Sequence, residues 1–457
     1  MPIKTLLFAG ALAILAVGAL FQPMLGVTGY MLHYMTGPER QWWADALRGV
    51  GFRYSLILAV ATAVGMFFSW GKLRLGRLSW DRQEKLVLLF LALIWVSMLL
   101  GEETVGRYTQ IDHPTVKFLK IVIFAMMMTH IVTDLKKLDW LLWVFVAGAL
   151  ILGWQAYDTP RSQFVSGRLN SVGGPDFAES NALAAYFGAM LPIVGVQFLR
   201  SRLVGKIVTF LAGGLAANAI VLTRSRGGFL GVAVGGVVAA CFAPRRHRAK
   251  IIVALVLAGL GGFWLADQRF IDRMATITHG AEERDASAES RLDFARAGKA
   301  MFMDHPLGIG AGNWYQTVGK YNKNLANRDA HDSFVKCAVE LGVQGLAVYL
   351  LVLASALWML RRIAKDAASL PTELHDHFAQ LALALTVSIA VLVTCSLTMT
   401  LLYMEGMWWM LLLPVCLQRA LERAKEQALL APEAAVESVR AAPAPRRRRR
   451  APAALRR

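Results

Sequence analysis

Twelve long apolar runs constrain this chain more than any other feature of its sequence. A helix needs about 20 apolar residues to cross the hydrocarbon core of a bilayer, and fewer where polar flanks reach the interface. A stretch from Phe378 to Leu417 has a single charge, Glu405, and is long enough for two crossings with a turn near Thr398–Thr400. The sequence therefore predicts an all-α integral membrane protein with about twelve transmembrane helices. The other ten runs begin near Thr5, Phe52, Leu86, Phe118, Trp140, Ala182, Leu203, Gly227, Ile251 and Phe334.

Composition agrees with a membrane protein and argues against several other classes. Hydrophobic residues make up 56% and charged residues 18% of the 457 positions, which is more apolar than a soluble globular domain. Much of the net charge of +18 lies in short loops between apolar runs and in the C-terminal tail. We therefore expect contact with membrane lipid and not with nucleic acid. The four cysteines show no CxxC pair and no metal-ligand spacing, so neither a disulfide framework nor a metal site is predicted.

The distribution of lysine and arginine predicts the orientation of the spans. If the N-terminus is cytoplasmic, the five short inner loops carry 17 basic residues and the four short outer loops carry 8. The first of these outer loops is Gln22–Gly51. Twelve spans also return the tail, with Arg446–Arg450, to the cytoplasmic side. We therefore expect both termini to be cytoplasmic.

One outer loop, 267–333, is a polar segment of 67 residues between the ninth and tenth spans. It holds several aromatic residues, unlike a disordered linker, and Ser290–Asp304 is predicted to be an amphipathic helix that Pro306 stops. We divide the chain into a membrane domain over 1–421, this loop within it, and a basic Ala/Pro/Arg-rich tail over 422–457 that we expect to be disordered. A folded external loop favours an active site or a lid on the outer face.

Two arginines, Arg224 and Arg226, occupy a very short turn between the seventh and eighth spans. One interpretation is that both reach lipid phosphate from the interface. The other is an anion clamp, because the planar guanidinium binds phosphate oxygens in pairs. On an outer face, such a clamp at a helix N-terminus would suit a lipid diphosphate.

Other polar residues near the outer face have both a structural and a functional interpretation. Lys120 at the start of the fourth span suits snorkelling or a phosphate contact. Arg168 and Glu179 lie in a loop of turn and capping residues, and are candidate sugar or phosphate contacts. Arg291 opens the amphipathic helix of the large loop. His331 precedes the tenth span as a capping or surface residue, or as a base, since a neutral imidazole can accept a proton from a hydroxyl.

The order of these features resembles the O-antigen ligase/polymerase superfamily of bacterial membrane glycosyltransferases. A stretch from Gly174 (GPDFAESNALA) also looks like members associated with protein-sorting or exopolysaccharide loci, such as exosortase-associated O-glycosylation ligases. Motifs extend from Asp176 to Gly345, and the remainder matches only as a pattern of spans. The resemblance rests on TRSRGG at Thr223–Gly228, SAESR at Ser287–Arg291, HPLGIG at His305–Gly310 and AHDSFVKCAVELGVQG at Ala330–Gly345.

The resemblance implies transfer of a glycan from undecaprenyl diphosphate to an acceptor hydroxyl on the periplasmic face of the bacterial inner membrane. Such enzymes use no nucleotide sugar, no cofactor and no required metal. Carried over residue by residue, His331 matches the family's essential histidine, and Arg226 and Arg291 match its arginines. We expect His331 to act as general base and the two arginines to stabilise the leaving diphosphate, with Arg224 as a weaker candidate.

The acceptor stays open at the level of sequence. The leading interpretation is an O-antigen ligase that joins glycan to lipid A–core oligosaccharide. A polymerase of lipid-linked repeats and a protein O-oligosaccharyltransferase share the same donor chemistry and the same three residues. A twelve-span transporter or lipid flippase is the alternative from another class, but the helix cores carry almost no ionisable residues, which transport sites usually require.

Overall fold

The computed structural model describes residues 3–44, 53–73, 80–101, 113–275 and 286–441. Within these ranges every regular element is helical, apart from one isolated bridge between Val165 and Arg168. This confirms the predicted all-α class. Several helices begin where a carboxylate accepts hydrogen bonds from the first backbone amides, as Asp81, Asp134 and Asp332 do.

The long apolar helices form one bundle, and each predicted run falls within one of them. By length and composition, seven described helices could each cross a membrane, so the total of about twelve crossings stays a prediction. The helices are α1 (Ile3–Phe21), α2 (Pro23–Thr36), α3 (Tyr54–Phe68), α4 (Arg82–Leu100), α5 (Pro114–Ile131), α6 (Leu135–Asp158), α7 (Ser180–Arg200), α8 (Leu203–Thr223), α9 (Arg226–Phe242), α10 (Arg245–Leu265), α11 (Gln268–Ala275), α12 (Ala286–Asp304), α13 (Trp314–Tyr321), α14 (Ser333–Asp366), α15 (Thr372–Ser396) and α16 (Glu405–Ala441).

Helix α2 was not predicted, because its residues lie in the segment assigned to the first outer loop. It has only 14 residues and contains glycine, threonine and histidine, so it lacks the length of an apolar span. It is nevertheless buried against α1 and α3. A Cβ added at Gly26 would lie 1.9 Å from the Thr62 hydroxyl, and one at Gly29 would lie 3.0 Å from Leu58. These glycines let the helices approach closely.

Helix α2 adds one passage through the bundle, and this passage determines the face on which the start of α1 lies. At that end Thr5 donates a 2.5 Å hydrogen bond to the Trp43 carbonyl, and the Phe8 ring lies 5.6 Å from that of Tyr54. The α2 end at Gly37 packs against Gly173, in the loop that precedes α7. The start of α1 therefore lies on the same face as that loop. The predicted series of spans did not include this extra passage, and the side of the membrane on which each terminus lies stays a prediction.

The large loop folds on the same face, which we call the outer face. Its helices α11, α12 and α13 follow α10, and a small apolar core holds the last two against the start of α14. Helix α12 ends at Asp304, as the sequence predicts, and begins at Ala286, four residues before the predicted start. The buried residues of this core include Phe294, Met301, Ile309, Trp314 and Val339.

A break in α14 joins the loop to the bundle. Gly342 has φ of 72°, which ends the first turns of the helix and starts a second helical segment. The glycine-rich turn that follows α12 fills this break. Ile309 N–H donates to the Val339 carbonyl at 2.9 Å, and Gly310 N–H donates to the Glu340 carbonyl at 3.0 Å. The backbone groups released by the break are thus satisfied.

The predicted tail differs from the structure in its first part. Residues 422–441 continue α16 as a helix, whereas we expected disorder from 422. The basic run Arg446–Arg450 lies outside the described residues. The division into a membrane domain, loop and tail is otherwise a prediction that stands untested.

Candidate functional site

A cavity of about 410 Å³ opens on the outer face, where five separate segments meet. It lies between the start of α5, the loop and first turn of α7, the loop around α13, the first turn of α14 and the connection from α15 to α16. We call it the outer cavity. Its polar lining residues are Lys117, Asp176, Glu179, Tyr315, Asp329, Lys336, Thr400 and Tyr403.

Two ion pairs face the outer cavity. The ammonium of Lys117 on α5 contacts the carboxylate of Asp176. The ammonium of Lys336 on α14 lies 2.8 Å from the carboxylate of Asp329. Burial raises the pKa of Asp329, but the charge and hydrogen bond of Lys336, with smaller contributions from Thr400 and His331, together outweigh burial and lower this pKa to about 2. Burial raises the pKa of the neighbouring Tyr315 to about 12, so its hydroxyl stays protonated.

Helix α2 supports the same cavity from below. The Tyr34 hydroxyl donates a 2.8 Å hydrogen bond to Asp176, and the backbone N–H of Glu405 donates to the same carboxylate at 3.0 Å. The Tyr30 hydroxyl donates to the Glu405 carboxylate at 3.1 Å. Asp176 thus joins α2, α5 and α16 at the floor of the outer cavity.

Four arginines gather beside the outer cavity: Arg168, Arg226, Arg273 and Arg291, which we call the arginine cluster. Arg168 donates 2.9 Å and 2.7 Å hydrogen bonds to the Thr223 carbonyl and the Asn181 side chain. Burial lowers the pKa of Arg168 to about 10, and repulsion from the three other arginines acts in the same direction. Positive charges from four segments therefore share one region.

Arg226 is held at the first position of α9 by the turn before it. Ser225 caps this helix by accepting a hydrogen bond from Gly228 N–H at 3.1 Å, and its hydroxyl donates to Asn181 at 2.7 Å. Asn181 also accepts from Arg168, so one amide oxygen links both arginine-bearing segments. The glycine at 228 packs against Ala184 so closely that an added Cβ would lie 2.4 Å from it.

Arg224 is placed differently from its neighbour. Its backbone is left-handed, with φ of 48°, and its buried guanidinium donates to the Gly167 carbonyl and to the carboxylate of Asp267. Burial raises the pKa of Asp267, but the hydrogen bonds from Arg224 and the Phe270 backbone and the charge of Arg224 together outweigh burial and lower this pKa. These contacts favour a positioning role for Arg224 over the substrate contact that the sequence suggested.

His331 lies between the arginine cluster and the outer cavity. It follows Asp329 of the cavity wall by two residues, and its ring meets the ring of Phe294 edge-on at 5.6 Å. Phe294 is one helical turn after Arg291 on α12. The backbone of His331 is left-handed, with φ of 51°. The next residue, Asp332, caps α14 by accepting hydrogen bonds of 2.8 and 2.9 Å from the Phe334 and Val335 backbone N–H groups.

The remaining candidates divide between the two regions. Glu179 lines the outer cavity and attracts Arg168, so it connects cavity and cluster. Lys120 is exposed on α5 and interacts with Glu405. It is Lys117, one turn earlier, that lines the cavity.

Sequence reasoning missed three residues of this region. Arg273 on α11 joins the arginine cluster, and Asp329 and Lys336 form the second ion pair of the cavity. For the last two a signal was present, since Lys336 lies in the motif that contains His331 and Asp329 directly precedes that motif. Arg273 lies in the large loop without any motif, and only the fold brings it to the other arginines.

Comparison with known proteins finds a family model that matches part of the chain. Residues 211–350 match the family model of the O-antigen ligases. This segment runs from α8 to the middle of α14 and contains Arg226, Arg291 and His331. Arg168 and Glu179 lie before it. No curated protein matches the chain significantly.

Proposed function

From the match of residues 211–350 to the family model of the O-antigen ligases, we propose that this protein is a membrane glycosyltransferase that moves a glycan from undecaprenyl diphosphate to an acceptor hydroxyl. We place it in the bacterial inner membrane with its outer face in the periplasm. Lipid A–core oligosaccharide is the acceptor that we propose first. The reaction as proposed requires neither a metal nor another cofactor.

The observation that carries this proposal is the arginine cluster at the outer face. Arg273, Arg226 and Arg291 each repel Arg168, whose pKa is lowered mainly by burial and further by this repulsion, while Glu179 attracts it. An anion bound among them would remove this repulsion, and guanidinium groups bind phosphate oxygens in pairs. A diphosphate gains charge as it leaves, so Arg226 and Arg291 would stabilise the transition state more than the ground state. Arg273 and Arg168 would contribute to the same field.

His331 supplies the second half of the mechanism. The acceptor oxygen attacks the anomeric carbon, the bond from that carbon to the diphosphate oxygen breaks, and the hydroxyl proton passes to the imidazole. A positioned base of this kind contributes about 10²–10⁴-fold. Its left-handed backbone, φ 51°, is a conformation that non-glycine residues rarely adopt and that is frequent at functional sites. Attack opposite the leaving group would invert the anomeric centre, which the linkage of the product would test.

The polyprenyl chain of the donor needs an apolar path from the bilayer to the arginine cluster. Helix α10 offers one, since the described side chains Val256, Leu260 and Phe263 are all exposed. Its end at Leu265 is followed by Asp267, which bonds to Arg224. We propose that the chain lies along α10 with its diphosphate at the cluster.

The test is in vitro transfer with purified protein, lipid-linked glycan and lipid A–core acceptor, with chelator throughout. We expect wild type to link glycan to core, and His331→Ala to lose at least about 10²-fold of this rate. His305→Ala is a matched control, because His305 lies in the same outer loop at the end of α12, and it should stay near the wild-type rate. Full activity in His331→Ala would exclude the proposed base.

The same assay separates the alternatives. Longer lipid-linked chains without core attachment would identify a polymerase, and transfer to protein would identify an O-oligosaccharyltransferase. If wild type transfers glycan to no acceptor, the glycosyltransferase proposal fails and a transporter or flippase returns as the better explanation.

A further inference from the structure

The outer cavity and the arginine cluster differ in charge, although they share a border. In the cavity each ammonium has a carboxylate partner, Lys117 with Asp176 and Lys336 with Asp329. Glu179 adds a negative charge at the edge. A space lined in this way gives no net attraction to a diphosphate, which the neighbouring cluster would bind far better.

The rest of the lining suits a neutral polyhydroxyl ligand. Carboxylate oxygens and the Tyr315 hydroxyl can accept hydrogen bonds from ligand hydroxyls. Apolar atoms come from Pro114, Ala178 and Met399, which can contact the C–H faces of a sugar ring. The volume of about 410 Å³ lies in the usual range for small-molecule sites.

His331 lies where the two regions meet. Asp329 lines the cavity, and the charge of His331 contributes to the lowered pKa of that carboxylate. On the other side, the His331 ring contacts Phe294, one turn from Arg291 of the cluster. A group held in the cavity and a diphosphate held by the cluster would therefore lie on two sides of the proposed base.

We propose that the outer cavity is the acceptor subsite, which holds the sugar whose hydroxyl attacks the donor. This inference rests on the proposed glycosyl transfer. The sugar next to the donor diphosphate must remain beside the arginine cluster, to which that diphosphate is bound. In-line displacement requires the nucleophile on the side of the anomeric carbon opposite the leaving group, and the cavity provides that side. Asp329 and Glu179 would fix the acceptor ring by accepting from hydroxyls that do not react.

Occlusion of the cavity tests this assignment without touching its charged residues. Ala178 is exposed at the cavity wall, so Ala178→Trp would fill the space from its rim. Ala326→Trp is the matched control, because Ala326 is equally exposed in the large loop and is not a lining residue. Thermal unfolding of both variants in detergent shows first that each is folded.

Binding is measured by NMR on the full chain in detergent, by saturation transfer to methyl hexosides and by ³¹P line broadening of inorganic pyrophosphate. We expect hexoside signals with wild type and Ala326→Trp, and their loss with Ala178→Trp. Broadening of the pyrophosphate line should persist with Ala178→Trp and disappear with Arg226→Gln. Hexoside signals that persist in Ala178→Trp, or that no protein gives, would overturn the proposal.

Kinetics then distinguish an acceptor from a donor sugar. Ala178→Trp should raise the acceptor KM about tenfold or more, with the donor KM unchanged. A raised donor KM with an unchanged acceptor KM would overturn the assignment in favour of the donor glycan. If wild type binds hexosides but transfers no glycan, the proposed function fails while the sugar site stands, so the two failures are distinguishable.

Discussion

Two groups of charged side chains lie at opposite ends of the helical bundle, and they are assembled in different ways. At the inner end, Arg419 on α16 donates to the Glu84 carboxylate at 2.8 Å and to the Thr129 carbonyl at 2.7 Å. The Thr129 hydroxyl donates to the same carboxylate at 2.6 Å. All three side chains are buried. At the outer end, the arginine cluster combines four like charges.

The comparison separates charges that hold the fold from charges that suit a ligand. The inner group, which we call the inner ion pair, satisfies opposite charges and backbone carbonyls and so joins α4, α5 and α16. Breaking such a pair leaves a buried charge, which is costly. The arginine cluster brings like charges together, and an anion bound there would reduce their mutual repulsion. The inner end should therefore respond to mutation in stability, and the outer end in activity.

The largest expected effect is at the inner ion pair. Arg419→Ala removes the partner of a fully buried carboxylate and should lower the free energy of unfolding by about 3–5 kcal/mol. The double variant Glu84→Gln with Arg419→Met should be markedly more stable than Arg419→Ala, since no charge is left behind. Thermal unfolding in detergent measures both. A loss below about 1 kcal/mol for Arg419→Ala would mean that the pair does not hold these helices.

At the arginine cluster, Arg226→Gln should lower the transfer rate by about 10²–10³-fold, because it removes one donor to the leaving diphosphate. Its unfolding temperature should fall far less than that of Arg419→Ala, since Arg226 is only partly buried. The control is Arg296→Gln, at an exposed position on α12 that pairs with Asp293. An unfolding temperature that falls as far as that of Arg419→Ala would erase the distinction between the two ends.

A third prediction concerns the pH dependence of the stability that Asp329, in the wall of the outer cavity, contributes. The folded-state pKa of Asp329 is about 2, below its ordinary value of 3.8. Its contribution to stability is therefore present above pH 4 and is lost as pH falls through 2. Asp329→Asn should be less stable than wild type by about 2 kcal/mol at neutral pH, and this difference should narrow between pH 4 and 2. Unfolding followed across that range checks it, and a constant difference would contradict the ion pair.

The smallest effect is expected at Arg224. It is buried and paired with a carboxylate, like Arg419, but it lies at the outer end beside the arginine cluster. Its guanidinium bonds to Gly167 and Asp267, so Arg224→Ala should loosen the start of α11, which carries Arg273. We expect about a tenfold rise in donor KM. Asp267→Asn should give a similar rise, and the double variant should add little to it. Additive effects would show that Arg224 contacts the donor directly.

Much of the fold could be predicted because membrane spans depend on local composition. Apolar runs located the long helices, and Pro306 marked the end of α12 at Asp304. Helix α2 could not be predicted, because 14 residues with interspersed polar groups do not form a span on their own. Its stability comes from close packing at Gly26 and Gly29 against α1 and α3, and this tertiary packing is not visible in the composition of α2 itself.

The residues of the site likewise fall into those that local sequence identifies and those that only the packing of helices brings together. Arg226, Arg291 and His331 lie in local motifs, so the sequence identified them as candidates. The outer cavity could not be predicted, since its walls lie far apart along the chain and meet only after packing. The role of Arg224 was also beyond the sequence, because a partner at Asp267 becomes visible only when α10 and the turn after α8 are side by side.

The break in α14 has a consequence for the order of events during synthesis. The glycine-rich turn before α13 bonds to the carbonyls of Val339 and Glu340, so it cannot dock until α14 has been made. Glu340 in turn accepts a 2.8 Å hydrogen bond from Tyr403, which follows α15. A ribosome must therefore pass residue 403 before the outer cavity can close, although its first wall at Pro114 is made nearly 300 positions earlier. Assembly of the site is a late event, coupled to insertion of the last helix pair.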